Sequence, residues 1–243
     1  MRIVQAEDYA AMSTQVAAII AAQVVSKPDC VLGLATGTTP IGAYQRLIRR
    51  HREDGLSFAQ VRTVNLDEYC GLAPDHGQSY RYFMQVNLFD HVDIRPENTY
   101  VPNGLAADPQ AECARYDALL AALGGTDLQL LGLGHNGHIG FNEPGACFVL
   151  PTHPVELAES TINANARLFR TKDEVPRQAL TVGIGGIMSA KRVLVAVSGG
   201  DKAEAVARAF TGPVTPQVPA SILQLHPDVV LVADRAALSK LEA

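Results

Sequence analysis

The stretch Gly134 to Pro144, GHNGHIGFNEP, gathers two histidines, two asparagines and a glutamate among glycines. An imidazole changes charge near neutral pH and can pass a proton between two oxygens of a bound molecule, and a carboxylate beside it fixes its tautomer and raises its basicity. Asn136, His138, Asn142 and Glu143 stand close enough in sequence to converge into such a relay, and the intervening glycines let backbone approach a ligand closely. The same residues leave two other readings open. His135, His138 and Glu143 would supply three ligands to zinc, although the helical H-E-x-x-H frame is missing, and a single histidine is often only a structural one.

Three further clusters carry chemical potential. In NLDEYCGL, Asp67 and Glu68 are adjacent; on an extended chain they point to opposite faces, so one enters a cleft as a base while the other supports the loop. Two solvated turn residues would look the same. In ATGTTPIGAY, Gly37 allows a tight turn, Thr39 suits an N-cap and Pro40 suits a first helical position. Thr36, Gly37, Thr38 and Thr39 would then feed a helix N-terminus, where backbone N–H groups, hydroxyls and the helix dipole favour a phosphate. The pattern matches neither G-x-G-x-x-G nor G-x-x-x-x-G-K-[ST], which weighs against a dinucleotide or nucleoside triphosphate. In SGGDKAEAV, Lys202 falls at the start of a helix, a poor place for a cation unless an anion lies there too. Arg167, within NANARLF, would reach the same anion.

These residues need a frame. Nearly continuous apolar runs at 30–34, 61–66, 128–133, 193–197 and 229–232 fit strands buried on both faces of a parallel sheet. Helical spacing occupies 40–52, 111–123 and 201–210 between them. The expected fold is α/β, a Rossmann-like α/β/α sandwich with a mostly parallel sheet, in one domain spanning 1–243. Ligands of such sheets sit beyond the carboxyl ends of the strands, and each cluster above follows a strand. The segment 148–176, with His153, Arg167 and Arg170, has little strand character and is expected to form a lid.

Composition narrows the partners. The chain has 243 residues, 47% of them hydrophobic, and a formal charge of -5. No basic run longer than Arg49-Arg50 occurs, so a nucleic-acid surface is not expected. Cys30, Cys70, Cys113 and Cys147 are widely separated and form no C-x-x-C pair, which fits reduced thiols in a cytoplasmic protein. The uncharged run from Tyr9 to Ser26 follows Glu7 and Asp8 and is interrupted by polar residues; it reads as an Ala-rich packed helix, with no membrane role.

Taken together, LGLATGTTP, TVNLDEYCGL, LGLGHNGHIGFNEPG, ANARLF, VPRQALTVGIG and PASILQLH resemble the glucosamine-6-phosphate deaminase family in order and spacing. The 6-phosphogluconolactonases share this fold, but their central motif normally lacks the F-N-E-P found at Phe141 to Pro144. The resemblance implies conversion of glucosamine 6-phosphate and water to fructose 6-phosphate and ammonia, with no metal or organic cofactor. It implies that His138 opens the sugar ring, that Glu143 and Asn136 orient and tune it, and that Asp67 carries the C2 proton. Thr36, Gly37, Thr38, Thr39, Arg167 and Lys202 would hold the phosphate, and Glu68 would act from behind. A lactonase-like hydrolase and a non-catalytic sugar-phosphate sensor are the alternatives on this fold. Longer members have aspartate at the position of Asn136, and Thr38 replaces a common glycine. Those longer enzymes are hexamers controlled by N-acetylglucosamine 6-phosphate through basic residues after F-N-E-P; GACFVLPTHPVELAES has no Arg or Lys, so a monomer or small homo-oligomer without that control is expected.

Overall fold

The computed structural model describes residues 1–157, 159, 162, 166, 169–171 and 174–241. In chain order its strands and α-helices are β1 (Arg2–Ala6), α1 (Tyr9–Ser26), β2 (Val31–Leu34), α2 (Ile41–Asp54), β3 (Arg62–Asn65), β4 (Asp67–Tyr69), α3 (Tyr80–Asn87), β5 (Thr99–Tyr100), α4 (Pro109–Ala122), β6 (Leu128–Leu131), β7 (His153–Glu156), β8 (Gln178–Thr181), α5 (Ile184–Met188), β9 (Val193–Val197), α6 (Ala203–Phe210) and β10 (Val229–Asp234). Seven strands form one sheet in the order β1-β10-β9-β6-β2-β3-β5, and every neighbouring pair is parallel.

The sequence dictates which strands are central. All residues of β2 (VLGL), β6 (LQLL), β9 (VLVAV) and β10 (VVLVAD) are buried, as expected for strands covered by helices on both faces. Each fully buried Val or Leu contributes roughly 1.5–3 kcal/mol. The edge strand β1 (RIVQA) is mostly exposed, so it lacks the apolar run that marks its neighbours.

Helix α1 begins where Asp8, in extended backbone, accepts the Ala11 N–H at 2.8 Å, an N-cap. It is long and apolar enough to cross a membrane by length and composition, and its Met12, Val16, Ala17, Ile20, Ala21 and Val24 are buried in the fold, where it packs on β9, β10 and α2. Below the sheet, the Asp127 carboxylate accepts from Lys27 and Lys191 at 2.8 and 2.7 Å and from the Val31 N–H at 2.8 Å. These donors outweigh burial and hold its pKa down at about 2, tying α1, β2, β6 and β9 together at their near ends.

A second, antiparallel sheet in the order β4-β8-β7 was not expected from the sequence. It corrects the view of 148–176 as a stretch with little strand character: His153–Glu156 is the outer strand of this sheet, and Pro154 is tolerated there because an edge strand can spare an N–H. Much of the remaining expected lid lies outside the described residues. The small sheet is joined to the large one through Leu66, whose carbonyl accepts the Val182 N–H at 2.7 Å.

Candidate active site at the carboxyl edge of the sheet

The strands β9, β6, β2 and β3 are consecutive neighbours in the sheet. Their carboxyl ends lead to Gly199–Lys202, to the Gly134–Pro144 loop, to the Thr36–Thr39 turn and to Asp67. Neighbouring strands lie about 4.8 Å apart, so these four segments start within roughly 15 Å along one edge. From β2 the chain proceeds through β3 to β5 on one side, whereas β6, β9 and β10 follow on the other. The crevice between β2 and β6 is therefore the switch point at which such sheets bind ligands.

Asp67 and Glu68 are both buried, at 7% and 2% exposure, and the alternation of β4 sends them to different tasks. Glu68 accepts the N–H groups of Tyr69, Tyr80 and Arg81 at 2.8–2.9 Å. It caps α3 together with Ser79, whose hydroxyl accepts the Tyr82 N–H at 3.0 Å. Asp67 makes no hydrogen bond or ion pair among the described residues, and burial followed by the nearby Glu68 charge pushes its pKa up to about 8. A carboxyl group so placed is a stronger base than one in water. Its Oδ2 lies beside Gly140, 3.5 Å from where a β-carbon would stand, which brings it to the histidine loop.

In that loop His138 Nδ1 lies 3.2 Å from Glu143 Oε1, a close polar contact without hydrogen-bond alignment. Asn136 donates from Nδ2 to Glu143 Oε2 at 2.6 Å and accepts the His138 N–H at 3.1 Å through Oδ1. One asparagine thus braces both the carboxylate and the histidine backbone. The imidazole lies over Gly134, where a β-carbon would stand 2.4 Å from His138 Cδ2 and Nε2. Asn142 does not join the relay: its Nδ2 donates to the Ile139 and Val182 carbonyls at 2.9 Å, folding the turn onto the second sheet. His135 turns away as well. Its Nε2 contacts Asp201 Oδ2 at 2.6 Å and its Nδ1 lies 3.2 Å from Lys202 Nζ, so His135, His138 and Glu143 do not converge as a ligand set.

Gly37 adopts a φ of 91°, open to glycine at no steric cost, and the Gly37, Thr38 and Thr39 N–H groups have no partner among the described residues. The expected cap at Thr39 is corrected. Pro40 occupies the N-cap position of α2, its carbonyl accepting the Ala43 and Tyr44 N–H groups at 3.0 Å, and its ring, with no acceptor atom, supplies no side-chain cap. Lys202 ends a 3-10 turn at the start of α6, and burial lowers its pKa. Arg167 lies outside the described residues.

Tyr80 is a site residue that sequence reasoning missed. Its side chain lies within interaction range of the Tyr69 and Thr36 side chains and of the Asp67 carboxyl, between the expected phosphate turn and the buried acid. Its ring packs 4.9 Å from Tyr69 and 6.0 Å from Phe141, centroid to centroid. Only the Ser79 cap signal before it hinted that a helix starts there, and nothing local showed where its hydroxyl would go.

A family model described as glucosamine-6-phosphate isomerases/6-phosphogluconolactonase matches residues 5–231. A glucosamine-6-phosphate deaminase of Geobacillus sp. (strain WCH70) is 55% identical, covering 98% of this chain and 95% of its own. One from Lachnoclostridium phytofermentans is 56% identical, with 96% and 98% covered. A solved structure described as a monomeric glucosamine-6-phosphate deaminase superposes with a TM-score of 0.96 at 50% identity, covering 99% of this chain and 100% of that one.

Proposed function

The chain belongs to the glucosamine-6-phosphate isomerase/6-phosphogluconolactonase family, and on that premise we propose that it is a glucosamine-6-phosphate deaminase, converting glucosamine 6-phosphate and water to fructose 6-phosphate and ammonia. The observation that carries this choice is the buried Asp67, held basic at the sheet edge beside the histidine loop. Ester hydrolysis has no need for a base at C2, whereas an aldose-to-ketose isomerisation requires one.

The steps follow from the arrangement. His138, steadied by Glu143 and Asn136, moves the proton of the anomeric hydroxyl to the ring oxygen and opens the pyranose. Asp67 takes the proton from C2 while the ammonium group releases one to O1, leaving an enolamine, and Asp67 then returns its proton to C1, leaving a protonated imine at C2. Water adds to that carbon and ammonia departs. The substrate's own ammonium group, next to C2, favours the ionised carboxylate and acidifies the C2–H. Phosphate anchoring on Thr36, Gly37, Thr38, Thr39 and Lys202 supplies the orientation that a weakly acidic carbon demands, with Arg167, by the family resemblance, as a further phosphate contact. We place the reaction in a single-domain monomer in the cytoplasm, with no resident cofactor and no control by an acetylated sugar phosphate.

A coupled assay tests this assignment. With glucosamine 6-phosphate, ammonia and fructose 6-phosphate should form in equal amounts, and a chelator should leave the rate unchanged. Absence of ammonia, with hydrolysis of 6-phosphogluconolactone instead, would overturn it.

A further inference from the structure

The turn that receives the phosphate in the reading above is held from outside by a residue of α1. The Tyr9 hydroxyl donates to the Thr38 carbonyl at 3.1 Å and accepts the Gly42 N–H at 2.9 Å. It therefore bridges the turn and the first turn of α2, the helix that has no side-chain cap of its own. The close approach depends on Gly42: a β-carbon there would stand 2.4 Å from Ser13 Oγ and 3.0 Å from the Tyr9 hydroxyl.

From this geometry we propose that Tyr9 is a positioning residue for substrate phosphate, acting through the backbone of the Thr36–Thr39 turn. The peptide between Thr38 and Thr39 is trans, as are all peptide bonds described, so its C=O and N–H point in opposite directions. Pinning the Thr38 carbonyl toward α1 aims the Thr39 N–H away from α1. At the same time the hydroxyl satisfies the Gly42 N–H, which would otherwise be an orphan donor of the helix start. Without that hydroxyl the peptide can rotate, and an anion must then order it on binding.

The inference rests on the phosphate assignment to this turn, and its test separates the two. Inorganic phosphate serves as the probe, as a competitive inhibitor of deamination, in the unaltered enzyme and in Tyr9→Phe. The variant keeps the ring and loses one hydroxyl. KM for glucosamine 6-phosphate and Ki for phosphate should both rise about three- to tenfold, the worth of one hydrogen bond, with kcat within about twofold. A loss of kcat with unchanged KM and Ki would mark Tyr9 as merely structural and overturn the proposal. An unaltered enzyme that phosphate inhibits, beside a variant with unchanged constants, would overturn the Tyr9 role alone. An unaltered enzyme indifferent to phosphate would overturn the assignment of the turn and the role of Tyr9 together.

Discussion

Asp67→Asn is expected to lower kcat by about a thousandfold or more while changing the affinity for a non-reacting substrate analogue by less than about threefold. General-base catalysis is commonly worth about a hundred- to ten-thousandfold, and an amide of the same shape cannot accept the C2 proton. Because burial pushes the Asp67 pKa up to about 8, the free enzyme holds much of this group protonated at neutral pH. The base form is the active one, so kcat/KM of the unaltered enzyme should climb as pH rises toward about 8 and then level off.

The same shift has a stability counterpart whose sign runs the other way. A carboxyl group with a native pKa above its unfolded value stabilises the fold fully only below the unfolded value. That contribution is lost progressively as pH rises to the native one. Asp67→Asn removes the cost of burying the charge, so the Tm advantage of the variant should widen between pH 4 and about 8. A fully active variant, or one destabilised increasingly over that range, would show that Asp67 is a structural residue.

Gly134→Ala is the second large effect. Gly134 is not among the glycines with positive φ, so alanine brings no backbone strain, and the consequence comes from space alone. The new β-carbon would stand 2.4–2.5 Å from three atoms of the His138 ring, a separation that no rotamer adjustment of a methyl group relieves. The ring must leave its place beside Glu143. Ring opening should slow, with kcat down by about a hundredfold or more and KM changed little, since the phosphate contacts lie elsewhere. Supplying the substrate already in the open-chain form should recover much of the lost rate in rapid mixing. Unchanged kcat would mean that His138 does no proton transfer from that position.

The large sheet was legible because β2, β6, β9 and β10 are buried on both faces and therefore read as nearly continuous apolar runs. Its edge strands β1 and β5 and the whole second sheet were not. DEY in β4 and HPVE in β7 carry charges and a proline where alternation would be sought, and their pairing partner β8 lies more than a hundred residues from β4 in the chain. The site divides along the same line. Asp67, His138, Glu143 and Lys202 announced themselves by residue type beside strand ends. Glu68 became a helix cap and Asn142 a turn brace for reasons of three-dimensional contact alone. Tyr9 and Tyr80 each begin a helix, and their side chains reach Thr38 and Thr36, about thirty and forty residues away, a relation that no local pattern encodes. The Thr39 cap was misplaced because capping residues signal a boundary only to within a residue or two.

The decisive measurement is a crystal structure with glucosamine 6-phosphate reduced to the alcohol at C1, which cannot isomerise. An Asp67 carboxylate oxygen should stand about 3–3.5 Å from C2, with the phosphate on the Gly37 to Thr39 N–H groups and Lys202. A sugar whose C2 faces away from Asp67, or a phosphate bound away from that turn, would contradict the shared-cleft mechanism.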